Sequence, residues 1–267
     1  MEIVKTPPID TMSGAFSVKG KNVVVTGGNR GIGFGISAAF AESGANVAIL
    51  CRDGESGRSA AESLSNFGGR YTCVQADITD VASVSAAAKG VYEFFDHVDV
   101  LVNNAGVATK KTFFAPDGLD EWHRVIDTNL HGVANVVHFI VPAMKESGRG
   151  GAIINISSVG GQRVSSARDY DNAPYNASKA GLEIFTRFLA VTLGDFGLRC
   201  NVISPGPTHS GLKAPPSFIE MVEKKMPAHR FGEPIEIGAL CVFLASPAGV
   251  HLTGATIPLD GGLLTVV

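Results

Sequence analysis

Tyr175 and Lys179 stand four residues apart in Tyr175-Asn176-Ala177-Ser178-Lys179, within a stretch whose periodicity predicts a helix from Tyr175 to Phe196. On one helical face they are neighbours. A phenol with an ordinary pKa of about 10 needs such a cation to exchange a proton near neutrality, so Lys179 is expected to depress the Tyr175 pKa. The pair alone means little, and its weight comes from Ser158. That serine follows a strand predicted at Ala152–Ser157, and its hydroxyl can orient a carbonyl oxygen beside the phenol. Ser157 is the second choice. Tyr170 is a decoy, because no lysine follows it four residues on.

A second chemistry-bearing stretch is Thr26-Gly27-Gly28-Asn29-Arg30-Gly31-Ile32-Gly33. It links a predicted strand, Asn22–Thr26, to a predicted amphipathic helix, Ile32–Ser43, which is the setting a dinucleotide-binding turn requires. Glycines let the backbone approach a pyrophosphate, and the helix N-terminus offers free N–H groups and partial positive charge. Gly27, Asn29, Arg30, Gly31, Ile32 and Gly33 are therefore candidate cofactor contacts. An acid at the end of the second strand would hold a ribose 2′-hydroxyl, but that end reads Leu50-Cys51-Arg52-Asp53. Cys51 occupies the acid's place, and Arg52 with Arg30 could bind a 2′-phosphate, so NADP(H) is expected. Asp53 leaves open a solvated Arg52–Asp53 pair. Asp77, with Ile78, ends a third strand where its carboxylate could accept from an adenine amino group, or could cap a helix. Asn103, Ala105 and Gly106, in Asn103-Asn104-Ala105-Gly106, close a fourth strand at the carboxyl edge where ligands bind in such sheets.

The elements that must position these groups alternate. Short β-branched runs at 22–26, 46–51, 71–75, 98–103, 152–157, 198–203 and 256–259 are separated by amphipathic stretches at 32–43, 57–67, 81–95, 119–146, 175–196 and 235–244. Strands such as Val98-Asp99-Val100-Leu101-Val102 are apolar almost throughout, as strands buried on both faces should be. An α/β class follows, with a single doubly wound Rossmann-type domain over residues 21–267 and a parallel sheet of about seven strands. Residues 1–20 are expected to form an irregular lead-in, and 207–234 a substrate loop or lid.

The glycine turn, Asn103 to Gly106, Ser158, Tyr175 and Lys179 stand in an order that resembles the short-chain dehydrogenase/reductase family, over nearly all of Lys21–Gly262. The resemblance implies further roles. Asn129 would interrupt regular helix bonding and hold a water leading to Lys179. Pro205, Gly206 and Thr208 would flank a nicotinamide carboxamide, and Lys179 would also hold the nicotinamide ribose. Asp260-Gly261-Gly262 would belong to the last strand. It further implies hydride transfer between NADP(H) and a ketone or secondary alcohol, with Tyr175 as acid, and a dimer or tetramer formed through the two long helices and the C-terminal tail.

The chain departs from that family in its interval from Ser158 to Tyr175, which is longer than in many relatives. Arg163 or Arg168 there could approach a substrate, or simply belong to a solvated loop. His209, Phe218, Met221 and Met226 in the lid, and Lys110, Lys111, Phe113 and Phe114 beyond Gly106, are further wall candidates, though Met and Phe at helical spacing more often pack against the body.

Composition narrows the partners. A formal charge of −3 with scattered Lys and Arg argues against a nucleic-acid surface. The four cysteines, 51, 73, 200 and 241, lie far apart in sequence and suggest neither a zinc site nor a disulfide framework, so no metal is expected. No apolar run reaches a membrane span and no basic head precedes an apolar block, so a cytoplasmic enzyme with a small carbonyl substrate is the expectation. The alternatives are a reductase of 3-oxoacyl thioesters on a carrier protein, and a non-catalytic dinucleotide sensor. Intact Asn129, Ser158, Tyr175 and Lys179 weigh against the sensor.

Overall fold

Seven parallel strands form one sheet in the order β3-β2-β1-β4-β5-β6-β7. The structure, a computed structural model, describes residues 9, 12–164, 172–211 and 216–266. The strands are β1 Asn22–Thr26, β2 Asn46–Cys51, β3 Tyr71–Gln75, β4 Val100–Asn103, β5 Gly151–Ile156, β6 Leu198–Pro205 and β7 Thr256–Leu259. β1 pairs with both β2 and β4, so the chain reverses its direction of travel across the sheet there. At such a reversal the loops above neighbouring strands diverge and open a crevice at the carboxyl edge.

The helices are α1 Met12–Ala15, α2 Gly31–Glu42, α3 Gly54–Ser63, α4 Val81–Phe94, α5 Gly118–Ile126, α6 Gly132–Glu146, α7 Ala173–Leu193, α8 Pro216–Lys225 and α9 Pro234–Ala245. They divide the core into two clusters, one on each face of the sheet. On one face α4, α6 and α7 bury Val91, Ile140 and Leu182 against Val24 and Leu101. On the other, α2, α3 and α9 bury Phe40, Ala61 and Leu244 against Val23 and Val25. Alternate valines of β1 thus serve opposite clusters, and all five of its positions, from Asn22 to Thr26, are buried.

Three local features differ from the pattern read in the sequence. The single helix expected over 119–146 is α5 and α6 joined by a π-helical turn at Asp127–His131, with Asn129 buried at its centre. Within the lead-in, expected to be irregular, α1 makes one turn, and Ala15 and Val18 are buried against the body. Cys51 and Cys73, far apart in sequence, meet across β2 and β3 with their sulfurs 3.7 Å apart, and both are free thiols.

Candidate active site

The carboxyl edge of the sheet opens into a cleft of ≈ 1470 Å³ that runs from the start of α3, past the glycine turn, to Tyr175 and Lys179. At its centre β1 passes into α2 through the glycine turn. A Cβ on Gly33 would lie 2.0 Å from the Gly27 carbonyl oxygen, so only glycine lets the first turn of α2 close on the loop. Gly31 has φ +52°, and a Cβ there would meet the Ser210 carbonyl oxygen at 2.8 Å. Arg30 occupies the N-cap of α2 with no side-chain cap, which leaves the helix's first N–H groups directed at the cleft. A phosphate-bearing ligand fits this cradle. Gly27, Asn29, Arg30, Gly31, Ile32 and Gly33 all line the cleft.

Beside the cradle, Arg52 lines the cleft, and among the described residues neither Arg30 nor Arg52 is held in an ion pair. Asp53 does not neutralise Arg52. Its Oδ1 instead accepts from the backbone N–H groups of Glu55 and Ser56 and caps α3. Burial, followed by the neighbouring Cys73 thiol, pushes Cys51 up to about 12, so it is a neutral thiol where an acid would carry charge. Ser56 completes this corner, with its hydroxyl 2.6 Å from Asn29 Nδ2. Further along, Asp77 and Ile78 line the cleft. Asp80, not Asp77, caps α4. Burial raises the Asp77 carboxyl, but two hydrogen bonds from Thr79 and the Arg52 charge outweigh it and leave the pKa lowered.

At the other end, α7 presents Tyr175 and Lys179 on one face, as their spacing requires. Lys179 is buried, and its Nζ donates to the Ile156 carbonyl at 2.8 Å and sits 5.7 Å from the Tyr175 ring centroid. Desolvation lowers the lysine to about 8. The Tyr175 phenol is raised, not depressed as the sequence led us to expect: burial lifts it, and the neighbouring Ser158 hydroxyl pulls it only part of the way back. Asn129 reaches the same corner from the π turn. Its Oδ1 accepts from Val107 N–H at 2.8 Å, and its Nδ2 donates to the Val107 carbonyl and to Ser178 Oγ. The π turn frees Asn129 from helical regularity and ties β4's exit loop to α7.

Other predicted residues sit off the cleft. Asn103 turns inward, donating to Asn155 Oδ1 at 2.8 Å, and its own Oδ1 is buried with no partner, while Asn104, Ala105 and Gly106 line the cleft. Pro205, Gly206 and Thr208 lie beside it, with Thr208 bonded to the Gly206 carbonyl and bridged to Gly232, and the wall itself is made by His209, Ser210 and Gly211. Arg163 donates to the Leu263 carbonyl at 3.1 Å and so ties the serine loop to the C-terminal tail. Met226 is buried against the body, whereas Met221 is exposed. Lys111 pairs with Asp117, and Phe113 packs edge-to-face on Trp122 at 5.6 Å. Arg168, Tyr170 and the Phe218 side chain lie outside the described residues.

Comparison with known proteins bears on this geometry. A family model described as "Enoyl-(Acyl carrier protein) reductase" matches residues 27–264. The chain belongs to the short-chain dehydrogenase/reductase family. Within that family it is 37% identical over 248 residues to a 3-oxoacyl-[acyl-carrier-protein] reductase of Chlamydia trachomatis, covering 91% of this chain and 97% of the other. It is equally 37% identical to an L-rhamnose 1-dehydrogenase (NAD(P)(+)) of Azotobacter vinelandii, covering 91% and 96%. Among solved structures, the NADPH-dependent 3-quinuclidinone reductase of Rhodotorula rubra superposes with a TM-score of 0.90 at 31% identity, covering 98% of each chain. The protein is therefore an oxidoreductase of the short-chain dehydrogenase/reductase type. Among the described residues no helix is long and apolar enough to cross a membrane.

Sequence reasoning named His209 as a wall candidate but missed Ser56, Asn104, Ser210 and Gly211 in this family member's cleft. A Ser-Gly pair in a loop carries no periodic signal, and Ser56 reads as an ordinary helix-start residue.

Proposed function

We propose that this protein is an NADP(H)-dependent reductase of ketones, reversible toward the secondary alcohol, and that Ser158, Tyr175 and Lys179 with Asn129 form its catalytic group. The observation that carries the reading is Tyr175 beside Lys179 on one face of α7, at the end of a cleft that begins at a phosphate cradle. A nicotinamide cofactor bound along the cleft supplies the hydride. Ser158 orients the substrate carbonyl, and the Tyr175 phenol gives its proton to the oxygen as negative charge develops there. Lys179 carries its charge to the buried end of the cleft, beside the phenol. Gly27 to Gly33 cradle the pyrophosphate, and Asp77 and Ile78 border the adenine.

The phosphate-bearing form of the cofactor is favoured by two unpaired guanidiniums, a neutral Cys51, and an Asp53 whose carboxylate caps α3. The "NADPH-dependent" relative from Rhodotorula rubra supports the same choice. Arg52→Ala is expected to weaken NADPH by about ten- to a hundredfold, the worth of one charge-assisted contact, while changing NADH by less than about threefold. Calorimetric titration of both proteins with both dinucleotides checks this. Equal losses for NADPH and NADH would leave Arg52 a role in the fold alone.

The 3-oxoacyl thioester reading is favoured by one finding, the Chlamydia relative. A panel holding small ketones, ketoses and a 3-oxoacyl thioester, followed by NADPH absorbance, separates the two. Turnover confined to the thioester would replace the small-carbonyl reading, and no turnover on any member would return the sensor.

A homo-oligomer is also proposed. On α7 the large side chains Ile184, Phe188 and Val191 are exposed at i, i+4 and i+7, an apolar stripe that a second copy of the chain would cover. Val191→Glu, at a position 84% exposed, is expected to lower the molar mass measured by light scattering without altering the circular dichroism. An unchanged mass down to nanomolar concentration would move the interface elsewhere.

A further inference from the structure

Glu183 lies one helical turn beyond Lys179 on α7 and is buried, with 6% of its surface exposed. Burial of a carboxylate is costly unless it is compensated, and among the described residues no cation is paired with this one. Its compensation comes from three neutral donors on one oxygen. Glu183 Oε1 accepts from Ser157 Oγ at 3.0 Å, from Ser204 Oγ at 3.1 Å and from Gln162 Nε2 at 3.4 Å. An anionic oxygen suits such crowding better than an amide or hydroxyl would.

The donors are placed where they matter. Ser157 and Gln162 bracket Ser158 and the 3₁₀ turn Val159–Gly161 that follows it, so both ends of the serine turn are tied to one atom. Ser157 Oγ also lies 3.2 Å from the Lys179 carbonyl, its single proton serving one acceptor at a time. The turn packs closely enough on α7 that a Cβ on Gly161 would stand 2.9 Å from Glu183 Oε1 and 3.0 Å from the Lys179 carbonyl carbon. Ser204 brings in the end of β6, which leads to Pro205 and Gly206. One carboxylate oxygen thereby joins the serine turn and the β6 edge to the helix that bears Tyr175 and Lys179.

We infer that Glu183 is a positioning residue, which sets Ser158 against Tyr175 by anchoring both flanks of the serine turn to α7. It touches no reacting atom. The inference rests on the reading of Ser158 and Tyr175 given above.

The test compares Glu183→Ala, Glu183→Gln and Ser157→Ala for kcat, KM, NADPH affinity, thermal midpoint and the ultraviolet titration of Tyr175, taken by difference from Tyr175→Phe. In Glu183→Ala, kcat is expected to fall at least about tenfold, the scale of a sub-ångström misplacement, with NADPH affinity within about twofold. The Tyr175 titration should move upward, because Ser158, which holds the phenol down, is no longer fixed beside it. Glu183→Gln, which keeps an acceptor oxygen, should restore most of both, and Ser157→Ala should reproduce part of the loss if Glu183→Ala does not fold. Native kcat and an unmoved Tyr175 titration in Glu183→Ala, or in Ser157→Ala where the former is unfolded, would overturn the inference. So would a parallel fall of kcat, affinity and thermal midpoint that Gln does not rescue. If the native protein reduces no carbonyl, the functional reading fails by itself, and the Tyr175 titration still decides the role of Glu183.

Discussion

Replacing Tyr175 with phenylalanine is expected to lower kcat for carbonyl reduction by about 10²- to 10⁴-fold, the range of a positioned general acid, while NADPH affinity stays within about twofold. The ring remains to pack, and what is lost is one hydroxyl. In the proposed mechanism Ser158 would still donate to the carbonyl oxygen, which keeps the expected loss finite. The upward shift of the phenol gives the prediction a direction in pH. Burial holds Tyr175 protonated through neutrality, with Ser158 the group that opposes it, so reduction finds its proton donor ready. Alcohol oxidation needs the phenolate and should accelerate as the solution becomes alkaline. Steady-state rates in both directions across pH test this. A Phe variant within about threefold of native would remove Tyr175 from the acid's role and leave Ser158 as the next candidate.

The placing of Tyr175, Lys179 and Ser158, the proposed catalytic corner, was legible because it follows from two periodicities. A four-residue interval on a helix fixes Tyr175 beside Lys179 wherever that helix lies, and a serine just past a buried strand must emerge at the sheet edge. The doubly wound sheet was legible for the same reason, since fully apolar strands alternating with amphipathic helices have few other solutions. Side-chain direction at the strand ends was not. Asn103 continues the alternation of β4 on the same side as Leu101 and so faces Asn155 and, through it, Thr186 of α7. Asn104, where the strand ends, escapes that alternation and reaches the glycine turn by donating to the Thr26 carbonyl. The meeting of Cys51 with Cys73 depends on the register of β2 with β3, a long-range quantity that neither strand encodes alone. Glu183 was hidden for another reason: a glutamate within an amphipathic helix reads as a solvated residue until the three donors facing it are known.

The same distinction between packing and function yields the second large effect, on stability. Lys179 is buried and titrates at about 8 instead of the ordinary 10.5, because its charged form has lost its water. Below about pH 8 both the folded and unfolded chains hold the proton, and the folded state bears the full cost, about 3 kcal/mol at 1.36 kcal/mol per unit. Between about 8 and 10.5 the folded lysine releases its proton while the unfolded one keeps it, so the cost shrinks as pH rises and is gone above that window. Lys179→Met removes the charge and keeps the stem, at the loss of the bond from Nζ to the Ile156 carbonyl, worth about 1 kcal/mol. The variant is therefore expected to be inactive and about 2 kcal/mol more stable than the native protein at pH 7, with the advantage fading toward pH 10. Deprotonation of the buried thiols Cys51 and Cys200, both raised to about 12, also weakens the fold above pH 9, but equally in both proteins, so the difference isolates the lysine. Denaturant unfolding at pH 7, 8.5 and 10 measures it. A variant no more stable than native at pH 7 would mean that Lys179 is compensated in its buried place, and that stability was not given up to hold a cation beside Tyr175.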